Sequence, residues 1–173
     1  LAPVAAFRYR SELLSLSRSQ AGLGLLSGFF LALHFATWIT SLEYTTVASS
    51  VVLVSTSPLW VALFASVILK EPVPRLVAIG MGLAMIGGVI VGLSDVCEWN
   101  SSGMVCPSFN DFVRGKAFIG DMFALAGAIA GSGYLLIGRR LRGNMSLISY
   151  IFVVYGMAAV VLVGFVLAAG QPM

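Results

Sequence analysis

The only histidine of the chain lies in a long apolar run and is the best candidate for binding chemistry in the sequence. On a helical wheel, His34 and Trp38 share one face with Ser27, Thr37 and Ser41. The ring nitrogens of the histidine need hydrogen-bond partners, and the indole offers a flat apolar surface with one N–H donor. The pattern therefore predicts a cavity for an amphiphilic substrate with an apolar or aromatic body.

Residues from other apolar runs are predicted to complete this cavity. Ser50 and Ser57 are seven positions apart and share a helix face, while Pro58 can bend that helix and Tyr134 can close the space from a later run. A packed polar pair within a helix interface stays open as the alternative, but a lone polar residue in a membrane span is functional more often than not. The predicted substrate-binding residues are His34, Trp38, Ser50, Ser57, Pro58 and Tyr134.

Catalytic and metal-binding motifs are absent from the sequence. A zinc protease needs HExxH, whereas this chain has one histidine. Gly131-Ser132-Gly133 is not the GxSG of an intramembrane serine protease, and the histidine lies three apolar runs earlier. We therefore expect no catalytic residue, no metal site and no cofactor, and a protein that is not an enzyme.

Two further sets of residues can each be interpreted as a chemically active group or as a simple structural feature. Cys97 and Cys106 lie in one polar segment, which favours a disulfide in an oxidising compartment and leaves two free thiols as the alternative. Asp121 stands near the start of an apolar run, where the dipole of a helix N-terminus would stabilise an interfacial carboxylate. A proton relay is the less favoured interpretation of Asp121, because such relays usually lie deeper in a span.

The amino-acid composition indicates which secondary-structure elements position these residues. Of 173 residues, 59% are hydrophobic and 10% are charged, against about 25% charged in a typical soluble domain. About 20 apolar residues cross a bilayer core. Five runs reach that length, so the fold class is an all-α, polytopic membrane helix bundle with predicted spans at about 21–40, 46–69, 76–93, 118–138 and 146–169.

The distribution of basic residues predicts the orientation of these spans. With the segment 8–18 in the cytoplasm, eight of the ten Lys and Arg residues fall on the cytoplasmic side and only Arg114 and Lys116 fall outside. Cytoplasmic loops of membrane proteins carry such an excess. The segment that holds both cysteines is then extracytoplasmic. Because the chain starts at Leu1 and stops just past an apolar run, we expect the natural protein to extend in both directions.

The order of short motifs along the chain resembles the EamA family of the drug/metabolite transporter superfamily. The family pattern is an aromatic-rich helix, a small-residue helix with S-P-L, a turn with a glutamate, and a glycine-rich helix. A second repeat then opens with a glycine and an aspartate. The matching residues are Leu33 to Phe35, Ser41 to Thr46, Ser55 to Leu59, Leu69 to Pro72, Gly80 to Gly88, Gly120-Asp121 and Gly138 to Leu141.

This resemblance implies a part of a ten-helix transporter with two inverted five-helix repeats. Residues 1–94 would hold the end of helix 2 and helices 3–5 of the first repeat, residues 95–117 an extracytoplasmic loop, and residues 118–173 helices 6 and 7 of the second repeat. The loop is longer than the usual link of the family. The substrate cavity of such a transporter lies near the membrane midplane between the repeats.

The expected function is export of small metabolites, such as amino acids or related amphiphiles, by alternating access. The alternative is a non-transporting membrane scaffold or sensor built on the same helices. Expected partners are a small-molecule substrate and the lipid bilayer, with no nucleic acid, and a homodimer stays open. The expected location is a plasma or inner membrane, which the chain crosses several times.

Overall fold

The computed structural model describes residues 8–68, 70–94, 97–101, 103–143 and 145–170. Its elements are α1 (Arg10–Leu14), α2 (Arg18–Ser41), α3 (Val47–Val54), α4 (Ser57–Ile68), α5 (Arg75–Ser94), β1 (Glu98–Asn100), β2 (Gly103–Val105), α6 (Phe109–Arg114), α7 (Lys116–Leu141) and α8 (Leu147–Ala168). Five helical stretches are long and apolar enough to cross a membrane, with α3 and α4 forming one of them. The prediction of an all-α, polytopic membrane bundle is confirmed.

The chain forms two compact units, whose boundaries fall within α2 and α7. The first unit comprises residues up to His34 and from Ala130 onward, and the second comprises Phe35–Ile129. In both units the buried side chains are mainly small, whereas many Leu, Ile and Val side chains are exposed. Small residues let membrane helices approach closely and leave the large apolar side chains for lipid.

In the first unit, α8 packs against the first half of α2 through glycines. A Cβ atom on Gly28 would lie 2.6 Å from the Val154 carbonyl oxygen and from Met157 Cβ, and one on Gly24 would lie 2.9 Å from Val153 Cγ1. The N-cap of α8 is Ser146, whose hydroxyl accepts the backbone N–H of Ser149. The glycines therefore let α8 lie close to α2, and the N-cap fixes where α8 begins.

The second predicted span is two helices separated at Ser55 and Thr56. Proline at position 58 has no N–H for the carbonyl of Val54, one helical turn earlier. The Ser57 hydroxyl donates to that carbonyl at 2.8 Å. The neighbouring Thr56 hydroxyl donates instead to the Leu53 carbonyl at 2.6 Å. The carbonyl that the proline leaves without a donor is therefore hydrogen-bonded within the same span, as a span in lipid requires.

The long polar segment contains a hairpin that hydropathy did not predict. Strands β1 and β2 are antiparallel, and Asn100 pairs with Gly103 at the closed end. Gly103 has φ +111°, a backbone conformation that favours glycine. Cys97 and Cys106, just outside the paired residues, are joined with an S–S distance of 2.01 Å. A two-stranded hairpin is marginal alone, so a crosslink at its open end is a physically reasonable means of holding it.

Non-reducing peptide mapping is expected to recover Cys97 and Cys106 in one disulfide-linked peptide pair. Because the register of β1 and β2 places the two positions opposite each other, pairing needs no movement of the strands. The protein should be purified under air and digested after blocking with an alkylating reagent. Recovery of both cysteines in alkylated form without prior reduction would contradict the pairing.

Candidate substrate site

A cavity of about 500 Å³ lies in the first unit, between the end of α7 and the start of α8. We call it the tyrosine cavity. Three tyrosines and two arginines are among the residues that line it: Tyr134, Arg139, Arg142, Tyr150 and Tyr155. Pockets of roughly 300–1,000 Å³ suit small molecules. The cavity therefore combines a suitable size with aromatic surface, hydroxyl groups and positive charge.

The turn between α7 and α8 explains why these tyrosines meet. Tyr134 and Tyr150 each lie eight residues from Arg142, so antiparallel helices joined at this turn bring them to the same level. Their ring centroids are 6.3 Å apart and the ring planes differ by 24°. Gly138 has no Cβ, and a Cβ there would meet the Tyr150 hydroxyl. The tyrosine pair is thus fixed by helix geometry and by one glycine.

Hydrogen bonds hold Tyr150 from the side of α2. Its hydroxyl lies 3.0 Å from Ser27 Oγ, and the Ser27 hydroxyl donates to the Tyr134 carbonyl at 3.4 Å. If Ser27 gives its one proton to that carbonyl, the Tyr150 hydroxyl donates to Ser27. Tyr150 is 3% exposed and Ser27 is fully buried, whereas Tyr155 is 49% exposed. One wall of the tyrosine cavity is therefore rigid and another faces outward.

The carboxylate of Glu12 in α1 reaches the N-terminus of α8, just after the turn between α7 and α8. The backbone N–H of Ser146 donates to Glu12 Oε1 at 2.6 Å. This hydrogen bond lowers the pKa of Glu12 below its ordinary value. The carboxylate is therefore charged at neutral pH and satisfies an N–H group that helix geometry leaves without an internal partner.

A second cavity, of about 470 Å³, lies in the second unit where α5 passes the break between α3 and α4. We call it the proline cavity. Pro58, Ser55 and Leu59 line it on one side, and Gly87 and Gly88 on the other. Gly88 is buried, and a Cβ there would be 3.8 Å from Val52. The surface is mainly apolar, so this cavity suits an acyl chain or an apolar part of a ligand better than a charged group.

Asp121 forms a buried polar cluster in the second unit. The carboxylate is 7% exposed, and its Oδ1 accepts the hydroxyl of Thr45 at 2.9 Å and that of Ser49 at 2.8 Å. A Cβ on Gly92 would lie 3.8 Å from Oδ2, so α5 also passes near. We expected an interfacial carboxylate in the first turn of its helix. Because α7 starts at Lys116, Asp121 lies in the second turn and is enclosed by neighbouring elements.

The structure distributes the predicted site residues between the two units. His34 and Tyr134 belong to the first unit, and both are partly buried. Of these, Tyr134 lines the tyrosine cavity. The second unit holds Trp38, Ser50, Ser57 and Pro58, of which Pro58 lines the proline cavity. The predicted set is thus represented in both cavities but does not form one cluster within either unit.

The two predicted serines have structural partners. Ser50 is fully buried, and its Oγ lies 2.6 Å from Ser41 Oγ. Because Ser41 donates its proton to the Trp38 carbonyl at 2.6 Å, Ser50 is the donor in that pair. Ser57 donates to the Val54 carbonyl at the helix break. These bonds explain both serines as packing groups, and contact with a substrate stays a prediction for them.

Sequence reasoning missed Arg139, Arg142, Tyr150 and Tyr155 as lining residues. Their signal was present in the chain, since tyrosines stand at equal distances on both sides of an arginine-rich turn. We used the arginines only to predict the orientation of the spans in the membrane. In the described part of the chain no group of three or more His, Cys, Asp or Glu residues is placed to hold a metal ion.

Comparison with known proteins identifies the family. Searches of curated proteins and of solved structures gave no significant match. A family described as the EamA-like transporter family matches residues 1–93, which is more than half of the chain and includes α1 to the last turn of α5. This family is part of the drug/metabolite transporter superfamily. The chain is therefore an integral, multi-pass membrane protein that belongs to the EamA-like transporter family.

Proposed function

We propose that this chain forms part of an exporter of small metabolites, such as amino acids or related amphiphiles, working by alternating access in a plasma or inner membrane. The observation that carries the proposal is the tyrosine cavity, which a predicted substrate residue, Tyr134, lines. A size suited to small molecules, inside a member of a transporter family, supports a substrate path.

The helix break supports the alternating-access part of the proposal. Transporter sites are typically formed where helices are discontinuous, and such breaks absorb backbone changes. Between α3 and α4, the backbone is interrupted for two residues while the Val54 carbonyl keeps a donor in Ser57. The proline cavity lies directly at this break. A tilt of α4 against α3 would change the shape of that cavity, and this is the movement we assign to the second span.

The proposed architecture is the ten-helix inverted repeat of the family. In it, residues 1–94 supply helices of the first repeat, 95–117 the extracytoplasmic loop and 118–173 the first helices of the second. In the predicted orientation, the arginine-rich end of α7 faces the cytoplasm, which is the side from which an exported substrate would enter. The tyrosine cavity would then be the entrance for substrate. A homodimer is compatible with this arrangement.

Alanine replacement of His34 or Trp38 is expected to lower transport at least several-fold. Each change removes a polar or aromatic group from the half-buried stretch of α2 while leaving the helix backbone intact. The measurement is counterflow of radiolabelled amino acids in liposomes with the full-length protein, after a check of folding by thermal unfolding in detergent.

Phe29→Ala is the matched control, because Phe29 lies on the same helix and is 39% exposed. It should transport like the parent. If His34→Ala and Trp38→Ala fold and transport like Phe29→Ala, these two residues have a packing role. If the parent protein itself moves no substrate in a panel of metabolites, the scaffold or sensor alternative replaces the transporter proposal.

A further inference from the structure

We propose that the tyrosine cavity binds an amphiphilic anion, with a carboxylate or phosphate head at Arg139 and Arg142 and an apolar or aromatic body on the tyrosines. The inference concerns binding, so it goes beyond the proposed transport function and does not depend on it. It starts from the lining of the cavity, which includes Arg139 and Arg142 together with Leu135 and three tyrosines.

The arginines supply the specificity for an anion. A guanidinium group is charged at every physiological pH and presents five N–H donors in a planar fork that matches a carboxylate or a phosphate. Arg139 lies in the last turn of α7, Arg142 lies just past its end, and both are exposed. Two such groups lining one cavity of this size would attract an anionic head more strongly than a neutral one.

The tyrosines supply the surface for the body of the ligand. Tyr150 is buried, held by Ser27 and stacked with Tyr134, so it supports the partly exposed ring of Tyr134 as an aromatic surface. Tyr155 is half exposed and lies at the outer part of the lining. Aromatic rings that are already fixed lose little conformational freedom when a ligand binds. An apolar or aromatic body therefore fits this wall, with the head directed to the arginines.

The position in the fold separates this site from an ordinary interfacial belt of Tyr and Arg side chains. Belt residues lie at the membrane surface with their polar ends in water. Tyr150, in contrast, is 3% exposed, and its hydroxyl is directed to Ser27 on another helix. Gly138 leaves the space that this hydroxyl needs. The cavity is thus lined by residues of α7, α8 and the turn between them, and it is supported from α2 through Ser27.

The test compares two probes that differ mainly in charge, indole-3-acetate and indole-3-acetamide. Their affinities are measured by isothermal titration with the full-length protein in phosphatidylcholine nanodiscs, with empty nanodiscs as the blank. The anion should bind at least tenfold more tightly than the amide. This preference should be lost in the double variant Arg139→Gln/Arg142→Gln and kept in Arg140→Gln, which removes a charge from the same turn at a residue outside the lining.

Tyr155→Ala gives a second, independent readout. It removes aromatic surface and no charge, so it should weaken binding of both probes by a similar factor and leave the preference for the anion unchanged. Equal affinities of the two probes for the parent protein would overturn the proposal. A loss of preference in Arg140→Gln as large as that in the double variant would also overturn it, since general surface charge would then explain the effect.

Two sources of the natural anion can be separated in the same proteins. Native mass spectrometry after purification in detergent counts retained phosphatidylglycerol. If a lipid headgroup is the occupant, the parent and Arg140→Gln should retain this lipid and the double variant should lose it. If a soluble metabolite is the occupant, lipid retention should be equal in all three while the probe preference still depends on Arg139 and Arg142. If transport fails but this preference is found, the proposed function is wrong and the binding site stands.

Discussion

Asp121→Ala is expected to lower the free energy of unfolding by about 2–4 kcal/mol, because it removes the acceptor of the buried Ser49 hydroxyl and of the partly buried Thr45 hydroxyl. In the parent, Thr45 and Ser49 both donate to Oδ1 of a carboxylate that is 7% exposed. Within a lipid-embedded bundle, water cannot replace the lost acceptor readily. The measurement is thermal or detergent-induced unfolding of the purified protein, followed by the loss of helical circular dichroism.

Asp121→Asn separates hydrogen bonding from charge. The amide oxygen can accept the same two hydroxyls, so this variant should recover at least half of the stability that alanine loses. If asparagine folds well but transport is abolished, Asp121 has a role in the transport cycle that needs its proton or charge. If alanine and asparagine are both as stable as the parent, the cluster around Asp121 does not hold the second unit together.

Gly120→Ala is expected to destabilise the protein by about 2–3 kcal/mol, since overpacking of a tight interior usually has an effect of this size. A Cβ at this position would lie 2.7 Å from both the backbone N and the Cβ of Thr45. The backbone atom cannot rotate away, so the turn between α2 and α3 must move. That movement also pulls Thr45 from Asp121, to which its hydroxyl donates.

Gly80→Ala is the matched control, because Gly80 lies within α5 and a Cβ there would meet nothing within 4 Å. Alanine in a helix is about 0.5–1 kcal/mol better than glycine. This variant should therefore be equal to the parent or slightly more stable. Similar losses of stability in Gly120→Ala and Gly80→Ala would mean that the close approach of α7 to Thr45 does not explain the effect of a side chain at position 120.

Hydropathy predicted the five spans because each is a long apolar run with few charges, and the length needed to cross a bilayer is fixed by simple geometry. The interruption of the second span was less predictable. Pro58 indicates that a carbonyl loses its donor, but which nearby hydroxyl replaces that donor depends on rotamers. Ser57, on the first residue of α4, takes this role.

The candidate site was harder to predict than the spans. His34 and Trp38 are close in sequence and gave a strong local pattern, whereas the tyrosine cavity depends on contacts between distant segments. Ser27 and Tyr150, for example, are separated by 123 positions. Asp121 was predicted to lie in the first turn of its helix because that helix was predicted to start at Phe118, two residues later than it does. The hairpin around Gly103 was missed because three-residue strands leave almost no periodic signal.

The composition of the first unit has a consequence for biosynthesis. In the sequence, its two parts precede and follow the continuous second unit. The ribosome therefore completes residues 35–129 before it makes the α8 partner of Ser27. At about 5–20 residues per second, synthesis of the intervening 123 positions takes roughly 6–25 s. For that time the early part of α2, with glycines shaped to receive α8, is in the membrane without its partner. Until α8 is made, the insertion machinery or other nascent helices must cover this surface of α2. The rate of translation therefore affects correct assembly.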